Sequence, residues 1–403
     1  MYRQLAKVLF VMIIMHASTT GMRFTATLDA LKHGGSSFEV GAMLSMVALV
    51  PAFFALSAGR WLDRVGPRVP IFLGLFCVLC AGVETVLLPT DRVGLAPLFA
   101  ACLLVGVAFM LSNTVVQRLT GDVVPPEKRT TAFSIMAMTA SASGVLTPVV
   151  TGYAIEHAGF SVFYAWCVGA AVLTALLLLT PAFRAVFPKE AARRGAKATK
   201  QGSAKDFLVL AGMRNVLFVS VMISVAWEVG NLLIPVYCAA VGRSPSEIGW
   251  ILGSFAAATF AVRLLMPVFL RFLRDWQLIT CTLFVGGAAF AVFPFFSELV
   301  PLMATAFLLG MGLGASFPNI LSLMYRLSPS GRIGEAIGLR LMLMNLSKAS
   351  FPVLMGALGA AIGAGTALWG LAVFLGLGGL YAVRSSREVA EACRAAPSSP
   401  HTS

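Results

Sequence analysis

The stretch GRWLDRVGPR, residues 59–68, decides the fold, because it places charged residues between two long apolar runs. The apolar runs cover residues 40–58 and 69–88. A run of about 20 apolar residues is long enough to span a bilayer as a helix. The decapeptide therefore has to lie at a membrane surface, between two membrane-spanning helices.

The same ten residues resemble the loop signature of the major facilitator superfamily, Gly-x-Leu-Ala-Asp-Arg-x-Gly-Arg-Lys, which joins that family's second and third helices. The matching positions are Gly59, Asp63, Arg64, Gly66 and Arg68. Trp61 replaces the usual leucine, Leu62 a small residue and Pro67 a base. The resemblance implies a secondary transporter.

The composition excludes a soluble protein of this length. Of the 403 residues, 58% are hydrophobic and only 12% are charged, and the mean hydropathy is +0.88. At roughly 34 residues per helix and loop, the chain holds about twelve spans. The net charge of +13 does not indicate nucleic acid, because the bases lie in loops between apolar runs and report topology.

The cysteines and the N-terminus each allow a second interpretation. Cys77 and Cys80 form a CxxC, but they lie in an apolar run without His or acidic neighbours, which favours buried thiols over a metal or redox pair. We expect no metal site and no cofactor. Arg3 and Lys7 before the apolar run 8–15 resemble a signal peptide, but the pattern continues to about Asp29 and predicts a retained first helix.

The apolar runs predict an all-α membrane protein with twelve transmembrane helices in two pseudo-symmetric six-helix bundles. The predicted spans are 8–29, 39–60, 69–88, 94–117, 131–155, 160–182, 214–238, 246–270, 277–296, 300–325, 336–361 and 364–384. The bundles are residues 1–183 and 214–385, joined by a basic cytoplasmic linker, 184–213, and followed by a short polar tail, 386–403.

The loops alternate in charge. One side carries Arg60, Arg64, Arg68, Arg118, Lys128, Arg129, the linker, Arg271, Arg274, Arg326, Arg332, Arg384 and Arg387, and the other side little beyond Lys32, Arg92 and Arg243. Basic loops stay in the cytoplasm. We therefore expect both termini to be cytoplasmic, in the inner membrane of a bacterium.

The two halves repeat each other at an offset of 208 residues. GGSSFEVGAMLS at 34–45 aligns with GRSPSEIGWILG at 242–253, and Arg118-Leu119 aligns with Arg326-Leu327 at the same offset. Such repeats around a midplane site are typical of transporters. SGVLTPVVTG at 143–152 resembles the superfamily's fifth-helix motif through Gly144, Pro148 and Gly152, and we expect Pro148 to act in gating.

The first predicted helix carries a polar face of His16, Thr20, Arg23 and Thr27, spaced 4, 3 and 4 residues apart. Ionisable groups at bilayer depth are costly and usually functional. Arg23 is either an anion-binding group in a central cavity or an arginine that bonds to carbonyls or reaches the outer surface.

The seventh predicted helix is the repeat partner of the first. There Ser224, Glu228 and Asn231 take the positions of His16, Thr20 and Arg23. Glu228 is the only acid well inside a second-half span, which makes it a candidate proton-coupling group. The alternative is a structural ion pair with a buried base. Glu84 lies nearer a helix end and is predicted to be structural.

Arg263 and Lys348 are embedded near mid-depth in the eighth and eleventh helices. By resemblance, organic-anion members of the superfamily place an Arg and a Lys on these helices to clasp a carboxylate. Arg263 alternatively serves helix packing and gating, whereas Asn345, Leu346, Ser347 and Ser350 offer Lys348 no carboxylate. We predict a substrate-binding lining of Arg23, Arg263, Lys348, Asn113, Gln117, Asn231 and Asn319, with Ser322 nearby and with Phe109, Trp227 and Phe317 as candidate apolar walls.

The decapeptide is predicted to gate the two halves. By family resemblance, Asp63 meets the start of the eleventh helix near Gly334 to Gly338, while Arg64 and Arg68 hold acids such as Asp122. The gating set is Gly59, Asp63, Arg64, Gly66, Arg68 and Pro148. At offset 208 Arg271 replaces the acid, so we expect this contact mainly in one half.

These features favour a monomeric secondary transporter that works by alternating access, with a small organic anion or zwitterion as substrate and protons as the coupling ion. Its other partner is membrane lipid, and nucleic acid is not expected. The alternatives are a proton-coupled exporter of drugs or metabolites and a non-transporting receptor. An enzyme is disfavoured because none of the four histidines has catalytic neighbours, and ATP-driven pumping because no phosphate loop is present.

Overall fold

The computed structural model of the protein describes residues 2–125, 128–187, 207, 209–328 and 333–395. Within these residues, twelve helical segments are long and apolar enough to cross a membrane. In chain order they are α1 (Tyr2–Lys32), α2 (Ser37–Val65), α3 (Arg68–Leu87), α4 (Ala96–Asp122), α5 (Arg129–Ala158), α6 (Phe160–Leu179), α7 (Ala211–Ala240), α8 (Pro245–Phe272), α9 (Asp275–Val292), α10 (Leu299–Leu327, in two segments), α11 (Ile333–Ile362) and α12 (Ala364–Arg384). The prediction of an all-α membrane protein with twelve spans is confirmed.

The helices differ from the predicted spans mainly at their ends. Helix α1 already begins at Tyr2, and α10 is interrupted at Ala315, between Leu299–Gly314 and Ser316–Leu327. The polar tail contains a further helix, α13 (Ser386–Ala395), which is anchored on α7 by a hydrogen bond from Asn215 to Glu388. Short helical turns lie at Thr90–Val93, Pro181–Arg184 and Phe293–Phe295. Most of the predicted linker lies outside the described residues.

The repeat at offset 208 has a structural counterpart at the starts of α2 and α8. Ser36 accepts a hydrogen bond from the Glu39 backbone N–H, and the Glu39 carboxylate accepts one from the Ser36 backbone N–H. Ser244 and Glu247 form the same reciprocal capping box on α8. Such a cap satisfies two N–H groups that the helix leaves unpaired and contributes about 1 kcal/mol.

The two halves meet along two side walls, α2 against α11 and α5 against α8. At both crossings the backbones of the two helices approach each other closely, because glycine has no side chain to separate them. A Cβ atom at Gly41 would collide with the carbonyl oxygen of Pro352, and one at Gly249 would lie 2.5 Å from that of Pro148. These approaches all lie at the end of the bundle opposite the chain termini, which we call the sealed end; the other is the basic end.

The crossings reveal a second repeat, at an offset of 204 residues. SGVLTPVVTG on α5, residues 143–152, aligns with SKASFPVLMG on α11, residues 347–356. Pro148 and Gly152 contact the start of α8, and Pro352 and Gly356 contact the start of α2. Each half therefore has one helix with a Pro-x-x-x-Gly motif, α5 or α11, that crosses a helix of the other half.

Candidate functional site

A cavity of about 380 Å³ lies between the two halves. Side chains of α1, α2, α4, α5, α7, α8 and α11 line it. The cavity is not fully enclosed, and the crossings close the sealed end, so it opens towards the basic end.

Three charged side chains form an ion cluster in the cavity wall. Arg23 Nη2 on α1 lies 3.3 Å from Glu228 Oε2 on α7, and Lys348 Nζ on α11 lies 2.9 Å from Glu228 Oε1. The Glu228 side chain is only 12% exposed, whereas those of Arg23 and Lys348 are 27% and 32% exposed. The Glu228 carboxylate therefore links Arg23 of the first half to Lys348 of the second half. It also gives Lys348 an acidic partner, which the residues next to Lys348 in the sequence do not provide.

The predicted polar face of α1 is the face that lines the cavity. His16, Thr20, Arg23 and Thr27 all contribute to the wall, together with Thr19. On α7, Glu228 and Asn231 line the cavity, while Ser224 is buried in the protein. Asn231 donates one side-chain N–H to the Trp227 carbonyl oxygen at 2.8 Å, so its second N–H and its amide oxygen are the groups that it can offer to the cavity.

Helix α5 holds two serines that bind basic side chains from other helices. Arg263 Nη1 on α8 donates to Ser141 Oγ at 2.7 Å, and His16 Nδ1 lies 3.0 Å from Ser143 Oγ. No acidic side chain in the described part of the chain forms an ion pair with Arg263. The guanidinium is thus held in place by a neutral partner and keeps its charge uncompensated.

The apolar part of the wall is aromatic. Trp227 packs edge-on against Phe255 with ring centroids 4.9 Å apart, and both line the cavity together with Phe109 and Phe24. Phe317 contacts Trp227 from behind, with centroids 6.0 Å apart, and it is not part of the lining.

Three of the predicted substrate-binding residues are not brought to the cavity. Asn113 and Gln117 are exposed on α4, beyond the lining residue Phe109 in the direction of the basic end. Asn319 is 2% exposed, and its amide N–H groups are directed to the Ala315 carbonyl oxygen and the Met266 sulfur. The structure thus brings Arg23, Asn231, Arg263 and Lys348 together and leaves these three apart.

The predicted gating residues are only partly described. The side-chain environments of Gly59 and Asp63, and residues 329–332 before α11, lie outside the described part of the structure. Gly66 ends α2 with a φ of 78°, which favours glycine. Arg64 is exposed, whereas Arg68 buries its Nε and Nη2 groups without a hydrogen-bond partner. Pro148 lines the cavity and also contacts α8.

At the basic end, each half places an arginine near the loop between its second and third helices. Arg118 donates to the Leu62 carbonyl oxygen at 2.9 Å and lies 3.5 Å from Asp122. Its repeat partner Arg326 forms an ion pair with Asp275 at the start of α9. The second half therefore has an acid at this loop after all, four residues beyond the position of Arg271 that repeats Asp63.

Sequence reasoning did not identify Ser141 and Asp275 as partners of arginines, and it did not identify Arg340 as a buried base. Arg340 on α11 is 7% exposed, donates to Ser220 Oγ at 2.7 Å and faces the Phe317 ring, while its Nη2 has no partner. The sequence signal for Ser141 is the run of small residues TASASG at 139–144, which leaves room beside α5 for a long side chain from another helix. No group of three metal-ligating side chains was found among the described residues.

One family model matches nearly the whole length of the chain. The model of the Major Facilitator Superfamily matches residues 8–242 and 216–400. The chain belongs to the major facilitator superfamily. A tetracycline resistance protein of class E from Escherichia coli is 31% identical over 114 residues, which are 28% of this chain and 27% of that relative. The match therefore spans about a quarter of the relative's length.

Solved transporters have the same fold. A mutant of the peptide transporter POT in complex with sulfate superposes with a TM-score of 0.76 at 16% identity, covering 96% of this chain and 95% of that one. A bacterial homologue of the human lysosomal transporter Spinster gives a TM-score of 0.74 at 14% identity, covering 96% and 97%. These likenesses show the fold, and the match of the family model to residues 8–242 and 216–400 makes this chain an integral membrane protein of a transporter family and not an enzyme.

Proposed function

We propose that this protein is a proton-coupled secondary transporter that carries a small organic anion or zwitterion by alternating access. The observation that carries the proposal is the cluster of Arg23, Glu228 and Lys348, which spans both halves at the cavity wall. A charged cluster within the membrane is costly to maintain. Because this cluster lines an open cavity, it can exchange protons with the water in the cavity and bind ions that enter with that water.

The cluster offers a physical route to coupling. An ionised Glu228 accepts hydrogen bonds from Lys348 and Arg23 and draws α1, α7 and α11 together. A proton on Glu228 removes the charge that holds both bases, which then become available to an anion. Proton binding and anion binding therefore favour each other, and the two travel in the same direction.

The charge of the cavity supports an anionic cargo. The described lining contains Arg23, Arg263 and Lys348 but one acid, Glu228. Arginine grips a carboxylate with two parallel N–H groups, and lysine adds a movable point charge. The residues proposed to bind the substrate directly are now Arg23, Arg263, Lys348 and Asn231.

We further propose a monomer in a bacterial inner membrane with both termini in the cytoplasm. The support is the excess of basic residues in the loops at the basic end. In that orientation the cavity opens to the cytoplasm, and the sealed end faces the opposite side.

The test is transport by purified protein in proteoliposomes. Counterflow with a panel of small acids identifies a cargo, and uptake is then measured with and without a pH gradient. We expect Glu228→Gln to retain counterflow and to lose stimulation by the gradient. Glu84→Gln is the matched control, because Glu84 lies on α3 outside the cavity lining. A Glu228→Gln protein with normal pH stimulation would exclude Glu228 as the coupling site.

A second candidate, export of a drug or metabolite, is favoured by the partial match to the tetracycline resistance protein and by the aromatic wall of Trp227, Phe255 and Phe109. Inside-out vesicles distinguish the two. If an acid gradient inside the vesicles drives accumulation of tetracycline, the exporter is favoured; if tetracycline does not move while small acids do, the exporter is excluded.

A further inference from the structure

We propose that the cargo is a small dianion whose two acidic groups bind at opposite side walls of the cavity. One acid binds Arg263 and the other binds between Arg23 and Lys348. This inference rests on the proposed transport function and narrows its substrate class.

The first anion position is Arg263, on the wall formed by α5 and α8. Its hydrogen-bond partner is the neutral Ser141 Oγ at 2.7 Å, and it forms no ion pair with an acid in the part of the chain that the structure describes. A guanidinium has five N–H donors, so one bond to a hydroxyl leaves a planar edge for a carboxylate. Ser141 thereby fixes the direction of the side chain without satisfying its charge.

The second anion position lies beside Glu228, towards the wall formed by α2 and α11. Here two positive charges face one negative charge, so one unit of positive charge is uncompensated. Lys348 has three N–H donors and Arg23 has five, and each can bind Glu228 and a second acid at once. Each wall thus presents one uncompensated positive charge.

The same cluster argues against a substrate ammonium group. Glu228 is the only acid in the described lining, and Lys348 occupies its Oε1 while Arg23 occupies its Oε2. An ammonium that approaches Glu228 has to come between two resident cations, which repel it. A zwitterion therefore finds a place for its acid but not for its amine.

A monoanion compensates one wall and leaves the other charged. Alternating access requires a state in which both ends of the cavity are closed, and an uncompensated charge is most costly there, because water no longer screens it. A dianion supplies an acid to both walls in that state, and when Glu228 carries the coupled proton, one of the two acids takes the place of its carboxylate between Arg23 and Lys348. A cavity of about 380 Å³ is at the small end for a binding site, so the two acids have to be joined by a short chain.

The experiment is binding to the full chain purified in detergent, measured by calorimetry at constant ionic strength. The probes are unbranched dicarboxylates from malonate to adipate, with monocarboxylates and ω-amino acids of the same lengths. We expect at least one dicarboxylate to bind about tenfold or more tightly than its matched monocarboxylate and ω-amino acid, since each charge-assisted contact is worth about a factor of ten. Equal or tighter binding of the other two classes, or no dicarboxylate binding, would overturn the proposal.

Substitutions assign the two positions. Arg263→Gln is expected to weaken dicarboxylate binding about 10- to 100-fold, and Arg263→Lys to weaken it less, because lysine keeps the positive charge but loses the planar edge. Arg271→Gln is the control, because Arg271 is exposed on the same helix outside the cavity. Equal losses in Arg271→Gln and Arg263→Gln would overturn the assignment.

Glu228→Gln separates a dianion from a zwitterion by the sign of its effect. Removal of the acid leaves Arg23 and Lys348 free, so dicarboxylate binding is expected to tighten, whereas an ω-amino acid held by Glu228 would be lost. Weaker dicarboxylate binding in this variant contradicts the inference. Binding in detergent requires no transport, so a failure of proton coupling in proteoliposomes overturns the proposed function and leaves this result unaffected.

Discussion

At the scale of single residues, Glu228 is the residue on which the cavity wall depends. It is the carboxylate shared by two bases from different halves, and its side chain is 12% exposed. Removal of one member of a buried ion pair is strongly destabilising because the remaining charge has lost its partner, whereas replacement of all members by apolar residues is often neutral.

Glu228→Met should therefore destabilise the protein by about 3 kcal/mol, because two cations are left next to each other. Arg23→Met or Lys348→Met should cost less, because Glu228 keeps one base. The triple replacement of Arg23, Glu228 and Lys348 by Met should recover most of the stability. Unfolding in detergent, followed by tryptophan fluorescence, measures the series. A triple variant as unstable as Glu228→Met would show that the instability of Glu228→Met does not come from the two cations left without their acid.

The sequence predicted which residues of α1 line the cavity better than it predicted the contacts between side chains of different helices. The spacing of His16, Thr20, Arg23 and Thr27 placed them on one face, since helix periodicity is a local property. The contact between Lys348 and Glu228 joins residues 120 positions apart, and no local pattern contains it. For the same reason Asn319 looked like a lining residue, although packing against Met266 turns it away.

At the scale of helices, the sealed end depends on the absence of side chains at four glycines, Gly41, Gly152, Gly249 and Gly356. A Cβ atom at Gly249 would lie 2.5 Å from a backbone carbonyl oxygen of α5, and backbone cannot move aside as a side chain can. Close helix approach of this kind relies on small residues.

We expect Gly249→Ala to reduce the transport rate about tenfold, because a strained crossing costs about 1–3 kcal/mol in the state that has the sealed end closed. Gly169→Ala on α6 is the matched control, since a Cβ atom there meets open space. Counterflow rates at equal protein density measure both. Equal rates for the two variants would mean that the crossing opens little during transport.

Helices α5 and α8 are also joined by a hydrogen bond between the halves. The Ser246 backbone N–H, at the start of α8, donates to Glu156 Oε2 at 2.9 Å. The first N–H groups of a helix have no partner within it, and the helix dipole favours an acid there. The repeat-equivalent residue on α11 is Ala360, so only the α5–α8 crossing can have this bond.

Glu156→Gln should shift the protein about 2- to 5-fold towards the state that is open at the sealed end, because it removes a charge worth about 0.5–1 kcal/mol at the helix start. The readout is the labelling rate of Thr27→Cys in a cysteine-free background, with an impermeant reagent added on the sealed-end side. Thr27 lines the cavity and is reached from that side only when the crossings part. Glu298→Gln, an exposed acid on the same surface, is the control, and equal labelling of both variants contradicts the role of Glu156.

At the scale of the whole molecule, the protein is two related halves around one cavity. The sequence predicted this arrangement from the offset of 208 residues, and the capping boxes of α2 and α8 give that offset a physical basis. The offset of 204 residues between α5 and α11 was not recognised, because only four of ten positions are identical. The shared feature is geometric: a Pro-x-x-x-Gly helix that has to pass close to a glycine of the other half.

The two halves differ in what they contribute to the cavity. At offset 204, Lys348 on α11 takes the position of Gly144 on α5, and at offset 208 Glu228 takes the position of Thr20. Divergence of equivalent positions has therefore placed an acid and a base in the second half, while Arg23 in the first half completes the cluster. The proposed cargo site and proton site therefore depend on residues that differ between the two otherwise similar halves.

The most direct test of the central claim is proton movement that accompanies the cargo. A pH-sensitive dye inside proteoliposomes, without an imposed gradient, reports protons when the acid identified by counterflow is added outside. The account predicts that the wild-type protein moves cargo and protons together, and that Glu228→Gln moves the same cargo without protons. Equal proton movement in the wild type and in Glu228→Gln would contradict it.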